Sequence, residues 1–181
     1  MTEAPGGLRL VQDLLNTAGM PVASLPDLLD ETSTAQRWLD GTLRAWARQT
    51  GRTTPSISLT EKDLAALRTL RGRVRGWVTG ESENDGSLAM AADVSVRDGD
   101  LVYGPRGRGA AAITSLVALE ALLASRTGEL GRLKTCQNPA CGAAFYDRSR
   151  SGTRVWHDMK TCGNTLNLRA SRARRRQSST A

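Results

Sequence analysis

Apolar positions recur at helical spacing in four stretches of the chain. Leu8, Leu10, Val11, Leu14 and Leu15 share one side of a helix over residues 8–16. Pro21 and Pro26 then break the pattern. Trp38, Leu39, Leu43 and Trp46 form a second stripe over 33–49, and Gly51 marks its stop. Residues 52–58 read as a loop. Thr60-Glu61-Lys62-Asp63 is a helix start, because a hydroxyl and a carboxylate three residues apart can satisfy free amides. The helix it opens carries Leu64, Leu67, Leu70, Val74, Trp77 and Val78 on one face. Arg68, Arg71, Arg73 and Arg75 occupy the rest and read as a solvated surface.

The period changes over residues 88–103. Val94, Val96, Leu101 and Val102 flank Asp98-Gly99, a dipeptide that favours the tight turn of a β-hairpin. A last helix over 110–125 carries Ile113, Leu116, Val117, Leu119, Leu122 and Leu123. It is apolar around much of its circumference, which predicts a place at the centre of the core. Gly128 and Gly131 mark a boundary. The pattern thus predicts a mainly α body with one β-hairpin (α+β) over 1–128, and a small C-terminal module over 129–181. Trp38, Trp46 and Trp77 sit at core-like positions and read as packing residues.

Charge changes the picture most in the tail. The chain has 181 residues and a net charge of +7. Residues 131–181 hold 11 basic and 2 acidic residues, a net +9, so the body is slightly acidic. This asymmetry is that of a neutral body with an end that binds polyanions. No apolar run approaches the ~20 residues of a membrane helix, and MTEAPGG is no secretory leader, so the expected location is cytoplasmic with no membrane partner.

All three cysteines lie between 136 and 162. In a reducing cytosol such a cluster points to metal or catalysis rather than disulfides. Cys136 and Cys141 form one short pair, and His157 and Cys162 the other. Two short pairs separated by a loop supply the four corners of a tetrahedral site. The pattern uses every cysteine and the single histidine of the chain. Three thiolates and one imidazole leave no open position for water, so the expected cofactor is one structural Zn2+. The spacing is not that of a Cys-x-x-Cys redox pair, and no nucleophile elbow, carboxylate pair or phosphate loop appears; an enzyme is not expected.

Beyond Cys162 the sequence becomes rich in arginine and alanine, both helix formers. Arg169, Arg172 and Arg176 share one helical face, with Arg174 and Arg175 beside it. Guanidinium forks fit phosphate oxygens and the guanine edge. Arg148, Arg150, Arg154 and Lys160, between the ligand pairs, extend the positive surface. Phe145, Tyr146 and Trp156 read as the module's small core rather than a base-stacking platform.

Cys136, Cys141, Phe145, Asp147, Arg148, Ser149, Trp156, Met159, Cys162 and the run 169–176 together resemble the bacterial CGNR zinc-finger family. The body resembles the ABATE domain that usually precedes this finger, through Leu14-Leu15-Asn16-Thr17 and the stretch from Leu59 to Arg68. The resemblance implies a treble-clef or ribbon-like finger ending in a basic helix, in a stress-related transcription regulator that binds DNA. The body would dimerise or sense a small-molecule effector. Two positions depart from the family pattern: His157 stands where a cysteine is usual, and Thr165 replaces the arginine after Gly163-Asn164. Two other readings fit the same residues. One is an RNA-binding module, and the other is a protein-interaction adaptor with zinc holding a docking surface.

Overall fold

The computed structural model describes residues 2–81, 87–164 and 168. The four helices form where the apolar stripes place them: α1 (Leu8–Leu15), α2 (Thr32–Thr50), α3 (Glu61–Thr79) and α4 (Gly109–Arg126). α2 stops at Gly51, whose φ of +68° only glycine adopts without strain. Antiparallel strands β1 (Ala92–Arg97) and β2 (Asp100–Pro105) turn at Asp98-Gly99, with Val96 opposite Leu101. Both turn residues have positive φ, +53° and +88°, as the predicted tight turn requires.

A second antiparallel pair, β3 (Leu133–Thr135) and β4 (Ala144–Tyr146), belongs to the tail. Leu133, Ala144 and Tyr146 nevertheless sit in the same apolar core as Leu14, Leu67 and Ile113. α1 binds this hairpin through two polar side chains one turn apart. The Gln12 amide donates to the Ala144 carbonyl at 3.1 Å, and its oxygen accepts from Ala4 at 2.6 Å. Asn16 takes the Ala144 amide at 2.8 Å and donates back to its carbonyl at 3.0 Å. β4 is an edge strand, and these side chains satisfy the backbone groups that it would otherwise leave open.

Three arginines of α3 do not form a free solvated face. Arg71 grips Asp27 with both terminal nitrogens, at 2.8 and 2.6 Å, and reaches the Thr17 hydroxyl. Arg75 donates to the Gly142 carbonyl at 3.0 Å, and Arg68 to that of Leu29 at 2.6 Å. Arg73 alone of the four makes no hydrogen bond or ion pair among the described residues and is exposed. Helical spacing shows which face a residue occupies. It does not show that the α1–α2 connection and the tail will cover that face. A smaller correction concerns α4: Leu122 and Leu123 are 47% and 43% exposed, so in its last turns only Ala121 and Ala124 face the core.

α4 is 18 residues long and apolar enough by composition to span a membrane, yet it packs within the body and buries Glu120. That carboxylate accepts from the Trp46 indole at 2.6 Å and the Tyr103 hydroxyl at 2.7 Å, joining α2, the hairpin and α4. Trp46 is fully buried, while Trp38 and Trp77 pack at the core's margin.

The capping box of α3 is formed, and it does more than cap. Asp63 accepts the Thr60 amide and hydroxyl at 2.8 and 2.6 Å, and also the Ala110 amide at 2.8 Å at the start of α4. The carboxylate reaches across because Gly109 has no side chain. A Cβ there would lie 2.2 Å from the Asp63 carboxylate, at a φ of +52°. Gly109→Ala is therefore expected to destabilise the body by roughly 1–3 kcal/mol, from strain plus loss of the shared cap. Urea unfolding of the variant measures it, with Gly41→Ala as the control. Position 41 is inside α2 with open space around it, so alanine should be neutral or stabilising there.

Candidate metal centre

The first ligand pair sits in the turn between β3 and β4. The amides of Cys141 and Gly142 both donate to the Asn138 carbonyl, at 2.8 and 3.1 Å, while the Asn138 side chain accepts from Ala140 at 3.1 Å. Gly142 closes the turn with a φ of +60°. The Cys136 amide bonds the Ala143 carbonyl at 2.8 Å, so the two sulfurs face the same side. The buried Asn138 thus organises the turn. The second pair is brought up by the segment after β4. Gln137 donates to the Val155 carbonyl at 3.0 Å, which lays residues 155–157 beside the first turn. Cys162 lies in a wide helical turn, Met159–Gly163, whose start is capped by Asp158. The Asp158 carboxylate takes the Thr161 amide at 2.8 Å.

Cys136, Cys141, His157 and Cys162 converge, with all four ligand atoms within 4.8 Å of one another. His157 Nδ1 lies 3.4 Å from the Cys141 sulfur and 3.7 Å from that of Cys162. A tetrahedron with Zn–S of about 2.3 Å and Zn–N of about 2.0–2.1 Å has S···N edges of about 3.6 Å. The donor set therefore fits one zinc ion, with His157 ligating through Nδ1. The three cysteines are buried and His157 half-buried, so the site is closed.

The electrostatics point the same way. Burial pushes the Cys141 thiol up to about 12; the Ala143 amide opposes this and the Cys136 sulfur adds to it. Cys162 moves down, because hydrogen bonds from Asn138 and Thr161 outweigh its burial. Crowded thiols cannot all ionise without a cation among them, and a divalent ion reverses that cost. Burial also lowers His157, against the opposing pull of Asp158, which favours the neutral imidazole that ligation requires.

Two residues outside the ligand set hold the site. Asp147 is fully buried just after β4. Burial alone would raise its carboxyl, but the Ser149 hydroxyl and amide, the Lys134 ammonium and the Arg154 amide hold it well below the usual range. These contacts are 2.6, 2.9, 3.0 and 2.9 Å. The carboxylate thereby folds residues 147–154 into the loop that delivers His157. A serine two positions after an aspartate is a turn signal that could have located it. Gly163 is the other. A Cβ there would lie 2.1 Å from the Met159 sulfur and 2.8 Å from the Trp156 ring, so the close packing beside Cys162 needs glycine.

The remaining predicted residues are placed as follows. Arg148, Arg150 and Lys160 are exposed, and Arg148 also reaches the Glu3 carbonyl at 3.1 Å. Arg154 is half-buried and spent on the site: it donates to the His157 carbonyl at 3.0 Å, and its guanidinium carbon lies 5.6 Å from the Phe145 ring centroid. Phe145 and Tyr146 are buried, and Trp156 packs on the cysteine cluster. Arg169, Arg172, Arg174, Arg175, Arg176 and Thr165 lie outside the described residues.

A closed Cys3His cluster, set in the turn of a small hairpin and completed by a helical turn, defines a structural zinc-binding module. Residues 132–175 match the family model of the CGNR zinc finger, so the tail carries a finger of this family. No curated protein matches the chain.

Proposed function

We propose that the chain is a zinc-dependent, DNA-binding transcription regulator of bacterial, cytoplasmic type, in which an ABATE-like body over 1–128 carries the finger over 129–181. The observation that carries this reading is the concentration of positive charge, net +9 over residues 131–181, in the segment that contains the metal cluster. Arg148, Arg150 and Lys160 are free of carboxylate partners among the described residues and exposed. The arginines at 169, 172, 174, 175 and 176 extend the same charge in sequence. Zinc would fix the base of that basic segment, and guanidinium groups would neutralise phosphates. The burial of Phe145 and Tyr146 favours duplex over single-stranded partners, since single-strand readers offer exposed rings.

Phosphate contacts give a steep salt dependence, with log K falling by about 0.9 per phosphate neutralised per log unit of salt. Fluorescence polarisation of labelled duplex DNA over a salt series is expected to show that slope. Arg172→Ala with Arg175→Ala and Arg176→Ala should flatten it by about three phosphates' worth. Equal binding at low and high salt would sink the reading. Tighter competition by structured RNA than by unlabelled duplex would move it to RNA.

A further inference from the structure

The β1–β2 hairpin carries an apolar face that is left uncovered among the described residues. Cross-strand partners share a face, so Val94, Val96, Leu101 and Tyr103 lie together, and Asp93, Ser95 and Arg97 lie on the opposite one. Tyr103 is half-buried, with its hydroxyl tied to Glu120. Val94, Val96 and Leu101 are 66%, 68% and 71% exposed, more than any other large apolar side chain described. Apolar side chains clustered on one face, rather than scattered singly, mark a contact surface. The backbone edge of β1 is open as well. Among the described residues β1 pairs with β2 and with no other strand, and residues 93–97 are all exposed. The two-residue turn makes Arg97 and Asp100 a hydrogen-bonded pair, and the Arg106 amide donates to the Ala91 carbonyl at 2.8 Å. Odd-numbered residues of β1 therefore bond β2, and the N–H and C=O groups of Val94 and Val96 face outward. β2 offers no equal edge, because Pro105 lacks an N–H and the strand packs on α4.

We propose that β1 pairs antiparallel with β1 of a second copy of this chain, about a twofold axis at Ser95. This register bonds Val94 to Val96 of the second copy and sets Asp93 opposite its Arg97, and symmetry repeats both contacts. Charge selects the register. The nearest alternatives that keep outward groups facing each other set Arg97 against Ala91 or against Ser95. The next ones set Asp93 against Asp93 or Arg97 against Arg97, which repel. Asp93 also pairs with Arg106 of its own chain at 3.4 Å, but its carboxylate stays largely exposed and open to a second cation. The two hairpins so joined form one four-stranded sheet, with Val94, Val96 and Leu101 of both copies on a single face. Exposed ion pairs add little affinity, so the charges fix the register while the apolar side chains and backbone bonds hold the seam. The seam is short, and a Kd in the micromolar range is expected. The proposal is independent of the DNA-binding reading.

The test is sedimentation velocity of the full, zinc-loaded chain without DNA, over a concentration series. A monomer–dimer equilibrium is expected. Val96→Asp should weaken it about tenfold or more, with zinc content and the melting temperature of the dilute protein unchanged. If that variant does not fold, Val94→Pro, which removes an N–H that β2 does not use, should weaken it as well. Asp93→Arg sets arginine against Arg97 across the seam, and Arg97→Asp sets aspartate against Asp93, so each variant alone should associate poorly. Mixed in equal amounts, the two should pair with each other as wild type does, because both ion pairs are restored. Asp93→Arg mixed with Arg106→Asp has the same net charges off the seam and should not be rescued. A monomer at every concentration would overturn the proposal, including one whose Val94 and Val96 amides resist exchange because another segment of the chain covers them. A dimer that a folded Val96→Asp or Val94→Pro variant leaves intact, or single charge variants that fail to pair when mixed, would overturn it as well.

Discussion

Chelating the zinc is expected to release residues 155–164 while leaving the helical body folded. Metal binding in small modules of this kind supplies on the order of 10–16 kcal/mol of folding free energy. Here residues 155–164 have few other supports, whereas residues 147–154 keep their bonds to Arg132 and Lys134. Among the described residues, the apolar neighbours that pack on the cluster of Cys136, Cys141, Ala143 and Cys162 are Met20 and Trp156. β3 and β4 are different, since Leu133, Ala144 and Tyr146 lie in the main core and Gln12 and Asn16 grip Ala144. Hydrogen exchange on the chelated protein should therefore show lost protection at Gln137, Cys162 and Gly163. Protection should persist in α1, α3 and α4. Cys162→Ser should behave like the chelated chain. His157→Cys should retain zinc, because a fourth thiolate is as good a ligand, whereas His157→Ala should not. Global unfolding on chelation would mean that the module and the body form one cooperative unit.

The second large effect belongs to Asp147. Asp147→Ala takes the carboxylate from the Lys134 ammonium, 25% exposed at its side chain, which keeps only the Gly152 and Arg154 carbonyls, and leaves the Ser149 and Arg154 amides without their acceptor. Removing one partner of a buried ion pair costs about 3–5 kcal/mol. Urea unfolding of the zinc-loaded protein should register a loss of that order. Asp93→Ala is the contrast: its pair with Arg106 at 3.4 Å is exposed on both sides, and such pairs are worth about 0–1 kcal/mol. The carboxyl of Asp147 is depressed in the folded chain, so its contribution is complete above its unfolded pKa of about 3.9. It is lost as pH falls through the lower folded value. The difference between wild type and Asp147→Ala should accordingly shrink below about pH 4 and stay constant above about pH 5.

Much of this molecule is legible in one dimension. The apolar stripes place all four helices, Asp98-Gly99 places the hairpin turn, and the cysteine and histidine spacing assembles the metal cluster. These features are local in sequence, or use rare residue types whose chemistry leaves few alternatives. What stayed hidden depends on a partner far along the chain. Gln12 and Asn16 look like ordinary polar positions of α1 until β4 is laid against them, 128 or more residues away. Arg71 and Arg75 look solvated until the α1–α2 connection and the tail turn cover them. Glu120 interrupts an apolar helix for no local reason, and its two partners come from α2 and β2. Glycine necessity at Gly109 and Gly163 likewise follows from a neighbour's approach rather than from a local turn signal.

One closed Cys3His site holds residues 155–164 on the rest of the module. The most direct measurement is the zinc content of the purified chain, set beside that of the Cys136→Ser, Cys141→Ser, His157→Ala and Cys162→Ser variants. A single zinc per wild-type chain is expected, and strongly reduced zinc with loss of order around residues 155–164 in each variant. Wild-type protein without metal, or variants that keep both zinc and an ordered finger, would contradict it.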